Sequence, residues 1–146
     1  MAEILGRRTP LKVAQAKHGE RVRQGTVHVA PPDHHLLIDA EGVLTLTHTE
    51  LVHFVRPSAD LLFESTAASF RERAVAVVLS GSGSDGAMGV KAIKKMGGTV
   101  IVQDKDSSEF FGMPEAALRT GAADFVLPLA EIAPALQTLV AANRGS

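Results

Sequence analysis

The sequence contains no cysteine, no tryptophan and no tyrosine. Without cysteine there can be no disulfide, no thiolate nucleophile and no thiolate metal ligand. Only six phenylalanines stand in for the aromatic class, too few for a platform on which bases stack. An excess of either charge is also missing. Fifteen basic residues face 16 acidic ones for a net charge of -1, so nothing points to nucleic acid or an anionic membrane surface as a partner. No apolar run approaches the about 18 residues that a membrane-spanning helix needs. Met1 to Arg8 lacks a basic stretch followed by an apolar one, so it does not read as a secretory signal, and the expected location is the cytoplasm. What is present is 146 residues with 45% hydrophobic content, enough for a single domain with a buried core.

The chain changes rhythm near its middle. Short alternating stretches come first: Leu11 to Ala16, then Thr26 to Ala30, which stops at Pro31-Pro32. Leu36 to Asp39 and Val43 to Thr47 flank Ala40-Glu41-Gly42 as a hairpin. Ser58 follows Pro57 and suits the N-cap of a helix reaching about Phe70, with Leu61, Leu62, Ser65 and Ala68 or Ser69 inward. Val75 to Leu79 is continuously apolar, as a strand buried on both faces would be. A glycine-rich turn and a helix from about Gly86 to Met96 follow, ended by Gly97-Gly98. Thr99 to Val102 reads as a strand, Glu115 to Thr120 as a helix, and Asp124 to Leu127 as a last strand. Leu129, Ile132, Leu136, Leu139 and Val140 then mark one face of a closing helix. This order implies an α/β fold: a doubly wound, largely parallel sheet, helices on both faces and a β-hairpin excursion.

The segment Ser80-Gly81-Ser82-Gly83-Ser84-Asp85-Gly86 lies where a parallel sheet collects its chemistry, at the carboxyl end of a strand. Three readings fit it locally. Gly81, Gly83 and Gly86 match G-x-G-x-x-G, with Asp104 at the end of the next strand as the ribose acid of a dinucleotide site. Against this, Asp85 would occupy or repel the place a pyrophosphate needs at the helix start. Alternatively, Asp85 orients a histidine while the glycines free backbone N–H groups for an oxyanion. In the third reading Asp85 merely N-caps the helix that follows it.

Distant segments bear on the choice. Val78 to Gly89 resembles a pattern of chemotaxis receptor methylesterases (CheB-type): a hydrophobic residue, Ser or Thr, then G-x-G-x-D-G-x-x-G. Phe111-Gly112-Met113-Pro114-Glu115-Ala116 resembles their F-G-M-P-x-x-A, and Arg56 to Phe63 their R-P-S-x-D-x-L-F. Val29 to Leu36 is similar to their I-A-P-x-x-x-H turn followed by Met or Leu. The resemblance implies a cofactor-free ester hydrolase that demethylates glutamates, and deamidates some glutamines, on the cytoplasmic helices of methyl-accepting chemoreceptors. It implies Asp85 as the acid of a Ser-His-Asp mechanism, Ser82 and Gly83 in the loop beside the oxyanion, and Phe111, Met113 and Pro114 along the cleft.

The family serine lies in a G-A-S-x-G-G turn and its histidine in a Q-H-M segment. Neither occurs in these 146 residues. Met1 to Arg8 resembles the helix just after them. Residues 1–146 are therefore expected to form a single, partial domain whose sheet lacks its first strands, exposes an edge open to self-association, and is inactive or nearly so alone. A non-catalytic remnant that binds receptor or partner is the alternative. Ser80, Ser82, Ser84, His34 and His35 offer no substitute triad, because none forms the G-x-S-x-G elbow. Six histidines (His18, His28, His34, His35, His48, His53) show no H-x-x-x-H spacing, so no metal is expected, and His28 reads as a solvent-face strand residue. Arg56 reads as an exposed surface residue, and Lys91, Lys94 and Lys95 as ordinary cations near a helix end.

Overall fold

A computed structural model describes residues 11–49 and 56–144; Met1 to Arg8 and His53 lie outside them. Strands β1 (Lys12–Gln15) and β2 (Thr26–Val29) pair in parallel, from Lys12 opposite Thr26 to Gln15 opposite Val29. Strands β3 (His35–Ile38) and β4 (Leu44–Thr47) form the expected hairpin, with His35 opposite Thr47 and Ile38 opposite Leu44. Asp39 builds its turn: Oδ1 accepts the N–H groups of Glu41 and Val43, both at 2.9 Å, and Gly42 takes a φ of 79°. Residues 16–25 run beside the hairpin, where Gly19 N–H donates to Leu44 O (2.8 Å) and Leu44 N–H to Glu20 O (2.7 Å). A small core of Ala16, Leu36 and Leu44, flanked by Ala30, Ile38 and Leu62, joins these pieces.

The second half is a run of alternating helices and strands. In order they are α1 (Ala59–Phe70), a 3-10 turn (Arg71–Arg73), β5 (Val75–Val78), α2 (Ala87–Lys95), β6 (Thr99–Gln103), α3 (Gly112–Arg119), β7 (Phe125–Leu127) and α4 (Leu129–Arg144). The strands are hydrogen-bonded in the order β5-β6-β7, all parallel. The central strand is the most apolar, and Val100, Ile101 and Val102 are fully buried, as expected of a strand covered on both faces. Ala67, Ala76, Val78, Val90, Ile93 and Ala117 complete the main core. The α/β class with a parallel sheet and a β-hairpin holds. The strands divide into three sheets, and among the described residues neither β2 nor β5 has a second neighbour.

Several local expectations shift for physical reasons. Helix α1 does not have one inward face. Leu62 packs into the hairpin core, Ser65 Oγ accepts Ile38 N–H (3.1 Å), and Ser69 Oγ donates to Ile38 O (3.0 Å). Its other side carries Asp60, Phe63 and Ala67 toward α2 and the main core. A helix held between two layers has two inward stripes, which blurs its periodicity. Helix α3 begins at Gly112 rather than near Glu115, because Pro114 falls in the first turn, where a missing N–H costs no intrahelical bond. In α4 only Ile132 of the anticipated stripe is fully buried; Leu129 and Val140 are half exposed, as are Phe125 and Val126 of β7.

Lys94 at the end of α2 is not a bystander. Its ammonium pairs with Asp124 Oδ1, and Asp124 Oδ2 accepts Val100 N–H at 2.8 Å, tying α2 and β6 to the start of β7. Partial burial pushes the Asp124 carboxyl upward, but the hydrogen bonds from Lys94 and Val100 outweigh it and hold the group below its ordinary 3.8. Because the folded value is the lower one, this contribution is fully present above pH 3.8 and disappears as the pH falls through the folded value. Denaturant midpoints measured from pH 6 to pH 2 are therefore expected to fall less steeply below pH 4 in Asp124→Asn than in the parent, with the variant weaker by about 1 kcal/mol at neutral pH. Equal acid slopes would show that Asp124 is not so held.

Candidate functional site

The glycine turn and the Phe110 to Pro114 segment, thirty residues apart, are zipped together. Gly81 N–H donates to Phe110 O (2.9 Å), Met113 N–H donates to Gly81 O (2.9 Å), and Phe110 N–H donates to Ser80 Oγ (2.8 Å). Buried Gln103 closes the base: its Oε1 accepts Ser80 N–H (2.8 Å) and its Nε2 donates to Ser107 O (2.8 Å). Two glycines make the fit possible. A Cβ on Gly81 would stand 2.7 Å from Met113 Sδ, and one on Gly112 would stand 3.0 Å from both Gly83 N and Gly83 O. Gly83 and Gly86 adopt φ values of 88° and 100°, open to glycine without strain.

Asp85 leaves this turn and crosses to α1. Its Oδ1 accepts Ser58 Oγ–H at 2.8 Å and Asp60 N–H at 3.3 Å, and its Oδ2 accepts Ala59 N–H at 2.6 Å. Asp85 therefore caps a helix, but not the one it precedes. The N-cap of α2 is Gly86, which has no side chain to offer. The first N–H groups of α2 go instead to Asp60, whose Oδ1 accepts from Gly86 (3.0 Å) and Gly89 (2.7 Å). The local-cap expectation is corrected accordingly: the nearest orphan donors in sequence are satisfied from α1, and Asp85 is free to satisfy those of α1.

Ser58 is the hinge of the cluster. It is fully buried, its N–H donates to His35 Nδ1 at 3.2 Å, and its hydroxyl donates to Asp85. Since Nδ1 accepts, a neutral His35 ring carries its proton on Nε2. Ser58 stands at the N-cap position of α1, as its place after Pro57 indicated, yet its side chain makes no cap bond. Asp85 is half-buried and borders a cleft of about 260 Å3, whose other walls are Ala30, Leu36, Pro57, Ser58, Ala59 and Leu62. Asp85 thus lies on the border of a mainly apolar hollow, next to the positive end of α1.

Ser82 and Gly83 are exposed on the turn. Phe111 is half-buried at the start of α3, Met113 lies over Gly81 against the main core, and Pro114 is fully buried. None of the three borders the hollow beside Asp85. Ser80 is committed to Phe110, and His34 Nδ1 donates to Pro32 O at 2.8 Å, so these residues do not meet as nucleophile and base. The Pro31 to His35 turn is fastened by Arg56, whose Nε and Nη2 donate to Asp33 Oδ1 (2.9 and 2.7 Å) and whose Nη1 donates to Thr49 O (2.8 Å). The hydrogen bond from Arg56 holds the Asp33 carboxyl below its ordinary value. With a side chain only 15% exposed, Arg56 is a structural clamp rather than a surface residue. His28 also departs from expectation. Its side chain is only 9% exposed, with Nδ1 3.5 Å from Glu20, and among the described residues neither ring nitrogen has a hydrogen-bond partner.

The dinucleotide reading does not survive the geometry. The α2 N-terminus that would bind pyrophosphate is filled by the Asp60 carboxylate, and Asp104 Oδ1 is taken by Ser107 N–H (3.0 Å) and Oγ–H (2.6 Å). Among the described residues, no three of His, Cys, Asp and Glu come together as metal ligands, and no helix is long and apolar enough to cross a membrane. Sequence reasoning missed Asp60 and Gln103. Asp60 had a usable signal in the Ser58-x-Asp60 spacing at a helix start, where carboxylates are favoured; Gln103, a polar residue ending an apolar strand, had almost none.

Fold and site together define a mixed α/β domain with a parallel sheet, whose polar cluster gathers at the carboxyl rim of β5. The CheB methylesterase family model matches residues 1–136, and the chain belongs to that family. It is 41% identical over 144 residues to protein-glutamate methylesterase/protein-glutamine glutaminase 1 of Paramagnetospirillum magneticum, covering 97% of this chain and 38% of that protein. It is 43% identical over 140 residues to the protein-glutamate methylesterase FrzG of Myxococcus xanthus, covering 96% of this chain and 42% of that one. The chain thus spans about two-fifths of the length of these curated relatives. The crystal structure of the Thermotoga maritima CheB methylesterase catalytic domain superposes with a TM-score of 0.92 at 36% identity, over 94% of this chain and 75% of that one.

Proposed function

We propose that these residues supply the acid and the oxyanion loop of a cytoplasmic protein-glutamate methylesterase. It acts on chemoreceptor helices, with glutamine deamidation as a second activity of the same site. The observation that carries this reading is Asp85: three donors from the start of α1 fix its carboxylate at the edge of an apolar hollow. A carboxylate so fixed is what a general-base imidazole needs to be held in one tautomer and to be stabilised when it becomes charged.

The chemistry follows. A serine oxygen attacks the ester carbonyl as the imidazole takes its proton. The tetrahedral oxyanion forms, and the imidazolium returns the proton to the leaving oxygen as methanol departs. Water then attacks the acyl-enzyme by the same route and releases glutamate. Asp85 faces the imidazole N–H throughout. The Ser82-Gly83 turn offers backbone donors to the oxyanion. Met113, packed over Gly81, and the start of α3 brace that turn from behind. The serine and histidine belong to the G-A-S-x-G-G and Q-H-M segments, which these 146 residues do not contain. Among the described residues no further strand pairs with the outer edges of β5 and β7, and these edges, with half-exposed Phe125 and Val126, favour self-association.

The test is methanol release from methylated chemoreceptor. The 146-residue chain by itself is expected to stay near background. The chain joined to a segment carrying the serine turn and the histidine is expected to release methanol. Robust release by the chain alone would contradict the assignment of nucleophile and base; no release by the joined protein, properly folded, would contradict the assignment of the activity.

A further inference from the structure

Asp60 and Asp85 exchange roles across two helices. Asp60 sits two residues after the N-cap position of α1 and is 3% exposed. Its carboxylate caps α2 at Gly86 and Gly89, while its own N–H, with those of Ala59 and the Ser58 hydroxyl, goes to Asp85. Gly86 is the residue bonded to Asp85 through the chain. A closed circuit results, in which the acid of each helix start is held by the other helix. The seam around it admits no slack: a Cβ on Gly89 would lie 2.6 Å from Phe63 Cβ and 3.1 Å from Asp60 Cα.

A buried carboxylate is an expensive way to fill an apolar helix seam. Phe63, one turn along α1, packs into the main core at this seam, and a small apolar residue at position 60 would avoid the cost of burying charge. What the carboxylate adds is direction, since it fixes the N–H of Gly86, the residue directly after Asp85, and that of Gly89 one turn into α2. We propose that Asp60 is a positioning residue for Asp85, setting where the acid's carboxylate stands by clamping Gly86 and Gly89. This rests on the reading of Asp85 as the acid. Its test reads no turnover, so a failed methanol assay and a failed clamp remain distinguishable.

The experiment is nuclear magnetic resonance on the labelled full chain, comparing the parent with Asp60→Ala and Asp60→Asn. It follows amide hydrogen exchange and the carboxyl carbon resonance of Asp85. In Asp60→Ala the Gly86 and Gly89 amides are expected to exchange at least about tenfold faster, the loss of a charge-assisted bond. The Ala59 amide should accelerate and the Asp85 carboxyl resonance move with them, while Val100 to Val102 keep their protection. Asp60→Asn retains an oxygen in place, though a weaker acceptor, and should give the same pattern at smaller amplitude. If Asp60→Ala does not fold, the Asn variant alone decides. Faster exchange at Gly86 and Gly89 with Ala59 and the Asp85 resonance unmoved would overturn the proposal, leaving Asp60 a cap and nothing more. Uniform acceleration that includes β6 would overturn it too, since it reports only lost global stability.

Discussion

Replacing Asp85 by Asn in a protein that contains the serine and histidine is expected to lower the rate of methanol release by about ten-thousand-fold, the cost of leaving an imidazole in the wrong tautomer. The expectation follows from how completely the carboxylate is oriented. Ser58 Oγ–H, Ala59 N–H and Asp60 N–H all donate to it, so the carboxylate is held by three bonds to the start of α1 while the residue borders the cleft. Asn can still accept from Ala59 through its carbonyl oxygen. Its amide group, however, meets donors on that side and presents a second donor where the imidazole N–H must be received. The variant should therefore fold, with a loss of about 1–2 kcal/mol as the two bonds to Oδ1 are disturbed, and fail catalytically. Loss of activity in proportion to loss of folded protein would instead mean that Asp85 serves α1 alone.

The largest effect on stability is expected at Gly89. Elsewhere in a helix, Gly to Ala gains about 1 kcal/mol from backbone entropy. Here the new Cβ would meet Phe63 Cβ at 2.6 Å, Phe63 Cδ2 at 2.9 Å and the Asp60 backbone at 3.1 Å. The two Cβ atoms sit on helix backbones, so α1 and α2 would have to separate rather than a flexible tip move aside. Overpacking of that kind costs about 1–3 kcal/mol and outweighs the propensity gain, so Gly89→Ala should be destabilising on balance. Gly89→Val adds two more carbons without recovering much helix propensity, and should lose several kcal/mol. Urea midpoints check both. A midpoint for Gly89→Ala at or above the parent's would show that the helices are not in contact there.

These two positions also show what could and could not be read from the amino-acid order. The loop from Ser80 to Gly86 was legible because its shape depends on local chemistry, with glycines where φ is positive, whereas the helix that starts at Gly112 was placed three residues late. Strands β5 and β6 were legible for a similar reason, as runs of Val and Ile long enough to be buried on both faces. The element order then gave the parallel sheet. Asp85 stood out in its turn, but the residues that hold it did not. Ser58, Ala59 and Asp60 lie 25 to 27 residues away, and nothing in the spacing says that two acids cap each other's helices. Local rules pointed to the nearer helix and were wrong on that point.

The remaining departures share this cause. Helix α1 lies between the hairpin and α2, so its apolar residues are spread around it and one-face reasoning chose only half of them. His28 alternates like a surface residue, yet its side chain is nearly buried beside Glu20. Arg56, charged and next to proline, looks exposed and is instead bonded to Asp33 and Thr49. Each case is a long-range contact overriding a local pattern.

Whether α1 presents Asp85 to an imidazole is visible in a single kind of spectrum. It is the proton spectrum of the joined protein at low pH and low temperature, in which an imidazolium N–H bonded to a carboxylate resonates far downfield of all amides. The account expects one such signal, absent in Asp85→Asn and displaced in Ser58→Ala, which removes a donor from the same carboxylate. A downfield signal that persists unchanged in Asp85→Asn would contradict it.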